Sequence, residues 1–181
     1  MVHRTSLAEA IRTYHSPYPE EAAFKKPFLE LLSHPGAFFR DHLPGHITAS
    51  VWIVDPTHQY ALLTHHAKLH RWLQPGGHAD GQEDVLAVAQ REAWEETGLM
   101  SLKVIHSRIF DIDIHTIPGR QDFPEHLHYD IRFLMVAKMD EPFTITEESK
   151  ELAWFSQPEI IQKTGSNQSI LRMAEKVSKL S

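Results

Sequence analysis

An α/β domain is predicted by three observations. Segments within 46–64 and 111–138 have the period of strands, residues 83–97 follow a helical pattern between them, and further helical patterns lie before 45 and after 156. At 181 residues the chain is long enough for one well-buried domain. No internal repeat, low-complexity tract or interdomain linker divides it.

Taken in order, Ser6-Leu7-Ala8-Glu9 has the spacing of a capping box, and Leu7, Ala10, Ile11 and Tyr14 continue on one helical side until Pro17 and Pro19. A second helix is predicted over 20–32, with Phe24, Phe28, Leu31 and Leu32 apolar, and Pro27 either kinks it or marks its start. His34-Pro35-Gly36 ends it and Leu43-Pro44-Gly45 is the next break. The 1–45 stretch holds no catalytic pattern and reads as a helical extension packed on a domain spanning 46–181. Strands are expected at 46–54 and 59–64, joined as a hairpin by Asp55-Pro56-Thr57-His58. A basic and aromatic stretch over 65–74 then leads to Pro75-Gly76-Gly77.

The central helix is apolar on nearly all sides over Val85, Leu86, Ala87, Val88 and Ala89, the pattern of a helix buried between layers. Its last turns hold Glu92, Glu95 and Glu96 at i, i+3 and i+4, so three carboxylates share one face. Like charges at that spacing cost a few tenths of a kcal/mol per pair. Glu95 and Glu96 also stand at the negative end of the helix dipole, just before Gly98. A hard divalent cation with oxygen ligands reverses both penalties, and Mg²⁺ is the usual candidate. Arg91 is placed to orient a carboxylate such as Glu83 through a bidentate pair. The Gly76-Gly77 backbone can pass close to a ligand or metal, and Gly81 helps turn the chain into the helix.

Gly77, five residues, Glu83, seven residues, then Arg91-Glu92-Ala93-Trp94-Glu95-Glu96-Thr97-Gly98-Leu99 resembles the Nudix box of the Nudix hydrolase superfamily at every defining position. The resemblance is densest over 73–99 and runs more weakly from 46 to 165. It implies the Nudix fold, a mixed β-sheet between helices in an α/β/α sandwich, here with an added helical N-terminus; sheet connectivity is expected from the resemblance alone. It also implies hydrolysis of a nucleoside diphosphate linked to another group, such as a nucleotide sugar, ADP-ribose, a dinucleotide or an NTP-like compound, with Mg²⁺ or Mn²⁺ as cofactor. Carried over by position, Glu92, Glu95 and Glu96 form the metal set, the Gly77 carbonyl is a further ligand, and Arg91 supports them. Glu96 is the firmest ligand and Glu92 doubles as a candidate base.

The stretch Glu147-Glu148-Ser149-Lys150-Glu151-Leu152-Ala153-Trp154-Phe155 resembles the late family segment in which an acidic loop precedes a strand ending in Trp-Phe. Glu147, Glu148 and Glu151 are therefore candidates for an additional base or metal ligand, and the residues do not choose among them. Trp72, a few residues before Pro-Gly-Gly, is structural in such relatives. The isopentenyl diphosphate isomerase of the superfamily needs a catalytic cysteine, and this chain has none. A nucleotide-binding sensor or regulatory module on the same fold stays open as the alternative to turnover.

Two later segments alternate: Asp111, Asp113 and His115 with Ile112 and Ile114, and His126, His128, Asp130 and Arg132 with Leu127, Tyr129, Ile131 and Phe133. The intervening loop over 118–124 allows an antiparallel pair with both polar faces on one side. A half-exposed sheet wetted by solvent is the plain reading. The functional one makes His126, His128, Asp130 and Arg132, together with Arg71 and His78, substrate-binding residues, able to move protons and clamp phosphate. A separate histidine-rich transition-metal site is the less favoured version, since it needs a convergence that spacing does not specify. Segment 134–138 continues the strand into a buried end. Ser156-Gln157-Pro158-Glu159 opens a short helix ending near Gly165, and a last helix runs from Asn167 with Ile170, Met173, Ala174 and Val177 on one side.

A formal net charge of −6 argues against a broad surface for nucleic acid or anionic membrane, so a polyanionic substrate must be held locally. Without cysteine there is no disulfide framework, thiolate site or thiol nucleophile. The N-terminus lacks the apolar core of a signal peptide and no run approaches a membrane span, which makes the cytoplasm the default compartment. The expected partner is a small-molecule nucleoside diphosphate derivative, with a homodimer as the default assembly. Fourteen histidines mean that acidification near pH 6 shifts the net charge substantially.

Overall fold

The computed structural model describes residues 4–120, 123–146, 149–165 and 167–180. The element order is α1 (Arg4–Thr13), α2 (Pro19–Leu32), β1 (Gly45–Val54), β2 (Tyr60–His66), β3 (Trp72–Leu73), β4 (Gly76–His78), α3 (Val85–Thr97), β5 (Lys103–Val104), β6 (Asp111–Ile117), β7 (His126–Val136), β8 (Ser149–Ser156), α4 (Gln157–Thr164) and α5 (Gln168–Ser178). The strands form one mixed sheet of order β3-β2-β1-β7-β5, with β4 paired to β1, β6 to β7 and β8 to β2. The β1–β7 pair is parallel and every other pairing is antiparallel.

Helices cover both faces, giving the α/β/α arrangement expected for the fold. Because side chains alternate along a strand, β1 divides its buried residues between two cores. Ile47, Ala49, Val51 and Ile53 pack with Leu7 and Ile11 of α1, Phe28 of α2 and Val88, Ala89 and Ala93 of α3. On the other face Trp52 and Val54 pack with Leu63, Leu134, Ile160 of α4 and Ile170 and Met173 of α5. Toward the start of β1 that second face changes character, to His46, Thr48 and Ser50, all buried.

The turn between β1 and β2 forms where expected. The Asp55 carboxylate accepts from the backbone N–H of Thr57 at 2.9 Å and of Gln59 and Tyr60 at 2.8 Å each, satisfying the turn's donors. The antiparallel β6–β7 pair also forms, from Asp111 opposite Arg132 to Ile117 opposite His126, and puts both polar faces on one side. At the start of α4 the Glu159 carboxylate accepts from the Ser156 N–H at 2.8 Å, the reciprocal contact of a capping box.

Two helix starts, those of α1 and α3, depart from the sequence reading, whereas the helix expected over 20–32 forms as α2. Ser6 lies inside α1, which already includes Arg4, so its capping-box spacing is unused. Pro27 sits within α2, and the helix runs on to Leu32 because burial of Phe28, Leu31 and Leu32 outweighs the missing backbone bond. The box helix begins at Val85 with Asp84 as its cap, accepting from Ala87 N–H at 3.2 Å, so Glu83 lies outside it. Among the described residues no helix is long and apolar enough to cross a membrane.

Candidate active site

The acidic turn of α3 faces the short strand β4. α3 is fixed by the buried face of Val85, Val88, Ala89 and Ala93, and it ends where Gly98 takes φ 70° and donates its N–H to Trp94 O at 2.8 Å. That left-handed cap suits glycine. The Glu96 side chain is buried and accepts the Gly76 N–H at 3.0 Å. Glu92 lies against Gly77 so closely that a Cβ there would stand 2.3 Å from Glu92 Oε2. Glu95, half exposed, completes the acidic face.

Arg91 ties this face together. Its Nη1 pairs with Glu92 Oε1 at 2.7 Å and Glu95 Oε2 at 3.3 Å, and its Nη2 donates to the His78 carbonyl at 3.1 Å. The expected pair with Glu83 does not form. Glu83, two residues before α3 begins, turns to α1 instead, where Arg4 Nε and backbone N each donate to it at 3.1 Å. Arg91 is thus an orienting residue for the box glutamates themselves.

The second polar group lies across β4 from the box. Strand alternation sends Gly77 toward Glu92 and the His78 side chain to the opposite face. There the parallel register sets His46 directly beside His128, while the antiparallel one sets His115 beside His128 and places His78 opposite Thr48. The imidazoles of His46, His78 and His128 have ring centroids 5.0–5.2 Å apart. His126 joins them, its centroid 5.1 Å from that of His46. Burial, helped by the nearby Arg40 charge, pushes the His78 ring down to about 4. Burial and the neighbouring His78 and His115 rings push His128 to about 2, and burial also lowers His46. These three rings are uncharged at neutral pH. His46 escaped the sequence reading, although its alternation with Thr48 and Ser50 carried the same signal as the strands that were singled out.

Asp130 and Arg132 do not line a cleft, contrary to expectation. Asp130 accepts from Thr48 Oγ1 at 3.0 Å, Ser50 Oγ at 2.7 Å and Arg132 Nε at 2.7 Å. Arg132, 2% exposed, also reaches Asp111 at 3.1 Å and Asp113 at 3.2 Å. Arg172 of α5 donates to Asp111 and Asp113, and Lys176 reaches Asp111 at 2.7 Å and the buried Glu21 at 2.6 Å. The physical reason is α5: its basic residues cover this part of the polar face and turn it into a buried ion network joining β6, β7, α2 and α5. Burial alone would raise the Asp111 and Asp113 carboxyls, but the surrounding guanidinium groups hold both well below the usual carboxylate range.

Arg71 is exposed between β2 and β3, its carbonyl accepting the His66 N–H at 2.9 Å. Glu151 is exposed on β8 opposite His65 of β2. Glu147 and Glu148 lie outside the described residues.

The profile of the NUDIX domain family matches residues 44–176. No curated protein matches the chain. Among solved structures, the binary complex of a C. elegans Ap4A hydrolase is 18% identical with a TM-score of 0.59, over 74% of this chain and 96% of that one. A NUDIX family hydrolase from Clostridium perfringens is 24% identical with a TM-score of 0.55, over 75% and 98%. A Nudix hydrolase from M. smegmatis is 20% identical with a TM-score of 0.57, over 76% and 89%. With the matching profile, the fold these structures share and an unbroken box on α3, the chain belongs to the NUDIX domain family.

Proposed function

We propose that this enzyme cleaves the diphosphate linkage of a nucleoside diphosphate derivative at the acidic turn of α3, with a divalent cation held by Glu92, Glu95, Glu96 and the Gly77 carbonyl. The observation that carries this reading is the convergence of Glu92 and Glu96 on the Gly76-Gly77 backbone, in a cradle that a side chain at Gly77 would fill. The donor set is entirely oxygen, which suits Mg²⁺ or Mn²⁺. Such an ion, when bound, neutralises the diphosphate and lowers the pKa of a water molecule.

The chain's own residues supply order. Arg91 fixes Glu92 and Glu95 relative to each other and to β4, which removes rotamer freedom before substrate arrives. The Gly76 N–H holds Glu96 in a buried position. Glu95 is the member that reaches solvent, and Glu92 is the candidate base. Glu151 remains a candidate for an additional ligand, as does Glu148.

The substrate is a small molecule; the net charge of −6 disfavours nucleic acid, and the absence of cysteine suits a reducing cytoplasm. Residues 1–45 act as a helical extension of a domain spanning 46–181, and a homodimer is the default assembly. One relative in fold is named an Ap4A hydrolase, which supports including dinucleoside polyphosphates among the substrates to be tried.

The test is product release with Mg²⁺ or Mn²⁺ from ADP-ribose, sugar nucleotides, dinucleoside polyphosphates, NADH, coenzyme A and nucleoside triphosphates, beside Glu96→Gln. Metal-dependent turnover of one class, lost in the variant, is expected. Tight metal-dependent binding without turnover would replace the hydrolase reading with a nucleotide sensor.

A further inference from the structure

We infer that His46, His78 and His128, with His126 in reach, form a binding site for a transition-metal ion of the zinc class, on the face of β4 opposite the box carboxylates. One ring nitrogen from each of the first three lies within 4.8 Å of the others. They come from three strands that the register fixes side by side, so the cluster is a product of sheet pairing and not of a loop.

The hydrogen bonds around the rings leave lone pairs pointing inward. His46 is 1% exposed, and its Nδ1 can only donate to the His42 carbonyl 3.4 Å away. Its Nε2 is then a bare acceptor, and it is buried with no hydrogen-bond partner among the described residues. An acceptor left in that state is unfavourable unless a ligand fills it. His126 repeats the pattern: Nδ1 donates to Pro124 O at 2.9 Å, so Nε2 carries a lone pair, and it lies 3.3 Å from His128 Nε2. Two ligands bound to one ion at about 2.0 Å in tetrahedral geometry are separated by about 3.3 Å. Donation of the outer ring N–H to a backbone carbonyl is also how metal-bound histidines are commonly oriented.

The donor chemistry separates this site from the box. It offers neutral imidazole nitrogen and no carboxylate: Asp113 is engaged by Arg132 and His115, and Asp80 by Arg40. Imidazole suits Zn²⁺, Co²⁺, Ni²⁺ or Cu²⁺ and is a poor ligand for Mg²⁺. The two sites nevertheless touch through β4, because Arg91, which orients Glu92 and Glu95, also holds the His78 carbonyl.

The experiment titrates chelator-stripped protein with Co²⁺ alone and reads the visible d–d absorption, then displaces Co²⁺ with Zn²⁺. One equivalent giving the strong bands of a four- or five-coordinate nitrogen site is expected, retained in Glu96→Gln. His78→Asn and His46→Gln, each checked for folding by circular dichroism, should remove the bands or weaken Zn²⁺ binding by about tenfold or more. His46 is in the core, so the half-exposed His78 gives the decisive variant should His46→Gln not fold. Absence of the bands in the wild type, or bands that survive His78→Asn but vanish in Glu96→Gln, would overturn the proposal. Neither result bears on hydrolysis at the box, which is read by the Mg²⁺ assay.

Discussion

A Cβ placed on Gly77 would lie 2.3 Å from Oε2 of Glu92 and 2.5 Å from its carboxyl carbon. The obstacle is the end of a flexible side chain, which can swing away. Gly77→Ala should therefore fold with little change in thermal midpoint while kcat/KM drops by about tenfold or more as Glu92 is displaced. A melting curve beside steady-state kinetics separates the two effects.

The neighbouring glycine fails differently. A Cβ on Gly76 would meet the Ser50 Cα at 2.6 Å and the Ala49 carbonyl at 2.8 Å, both backbone of the central strand β1. Backbone paired on both sides cannot yield, so Gly76→Ala should destabilise the protein by at least about 1–3 kcal/mol, measured by urea denaturation.

Arg91 spans two carboxylates and a carbonyl, a geometry that needs the guanidinium fork. In Arg91→Lys the charge is kept and the span is lost. An activity loss of about 10–100-fold with near-normal stability is expected from kinetics and thermal melts.

Arg132 is the centre of the buried ion network, and its removal leaves Asp111, Asp113 and Asp130 short of a partner. Arg132→Met should cost about 3–5 kcal/mol, far more than loss of the half-exposed Arg4–Glu83 pair, for which about 1 kcal/mol or less is expected. Chemical denaturation of both variants checks the ranking.

The same network sets an acid limit. Asp111 and Asp113 have folded-state pKa values below the unfolded value, so below about pH 5 the unfolded chain binds protons that the folded one refuses. Their contribution to stability is complete above that range and is lost as the pH falls toward 3 and below. Urea midpoints between about pH 5 and pH 3 should fall less steeply in Asp113→Asn than in the wild type.

The acidic turn of α3 was legible in the sequence because it is local. Glu92, Glu95 and Glu96 are fixed relative to one another by one helix, and Gly98 marks its end by a backbone conformation that glycine adopts without strain. The β6–β7 hairpin was legible for the same reason, since alternation and a short loop define it. Glu83 was misread because its partner, Arg4, is 79 residues away.

What only the tertiary structure decided is the fate of the polar strand faces. His126, His128, Asp130 and Arg132 follow one alternating pattern, yet the first two meet His46 and His78 while the last two meet Ser50 and Asp111, the latter also held by Arg172 of α5. Alternation states which side of a strand a residue faces. It does not state which strand pairs alongside or which helix covers the face, and those long-range pairings turned one half into an ion network and the other into a cluster of neutral imidazoles.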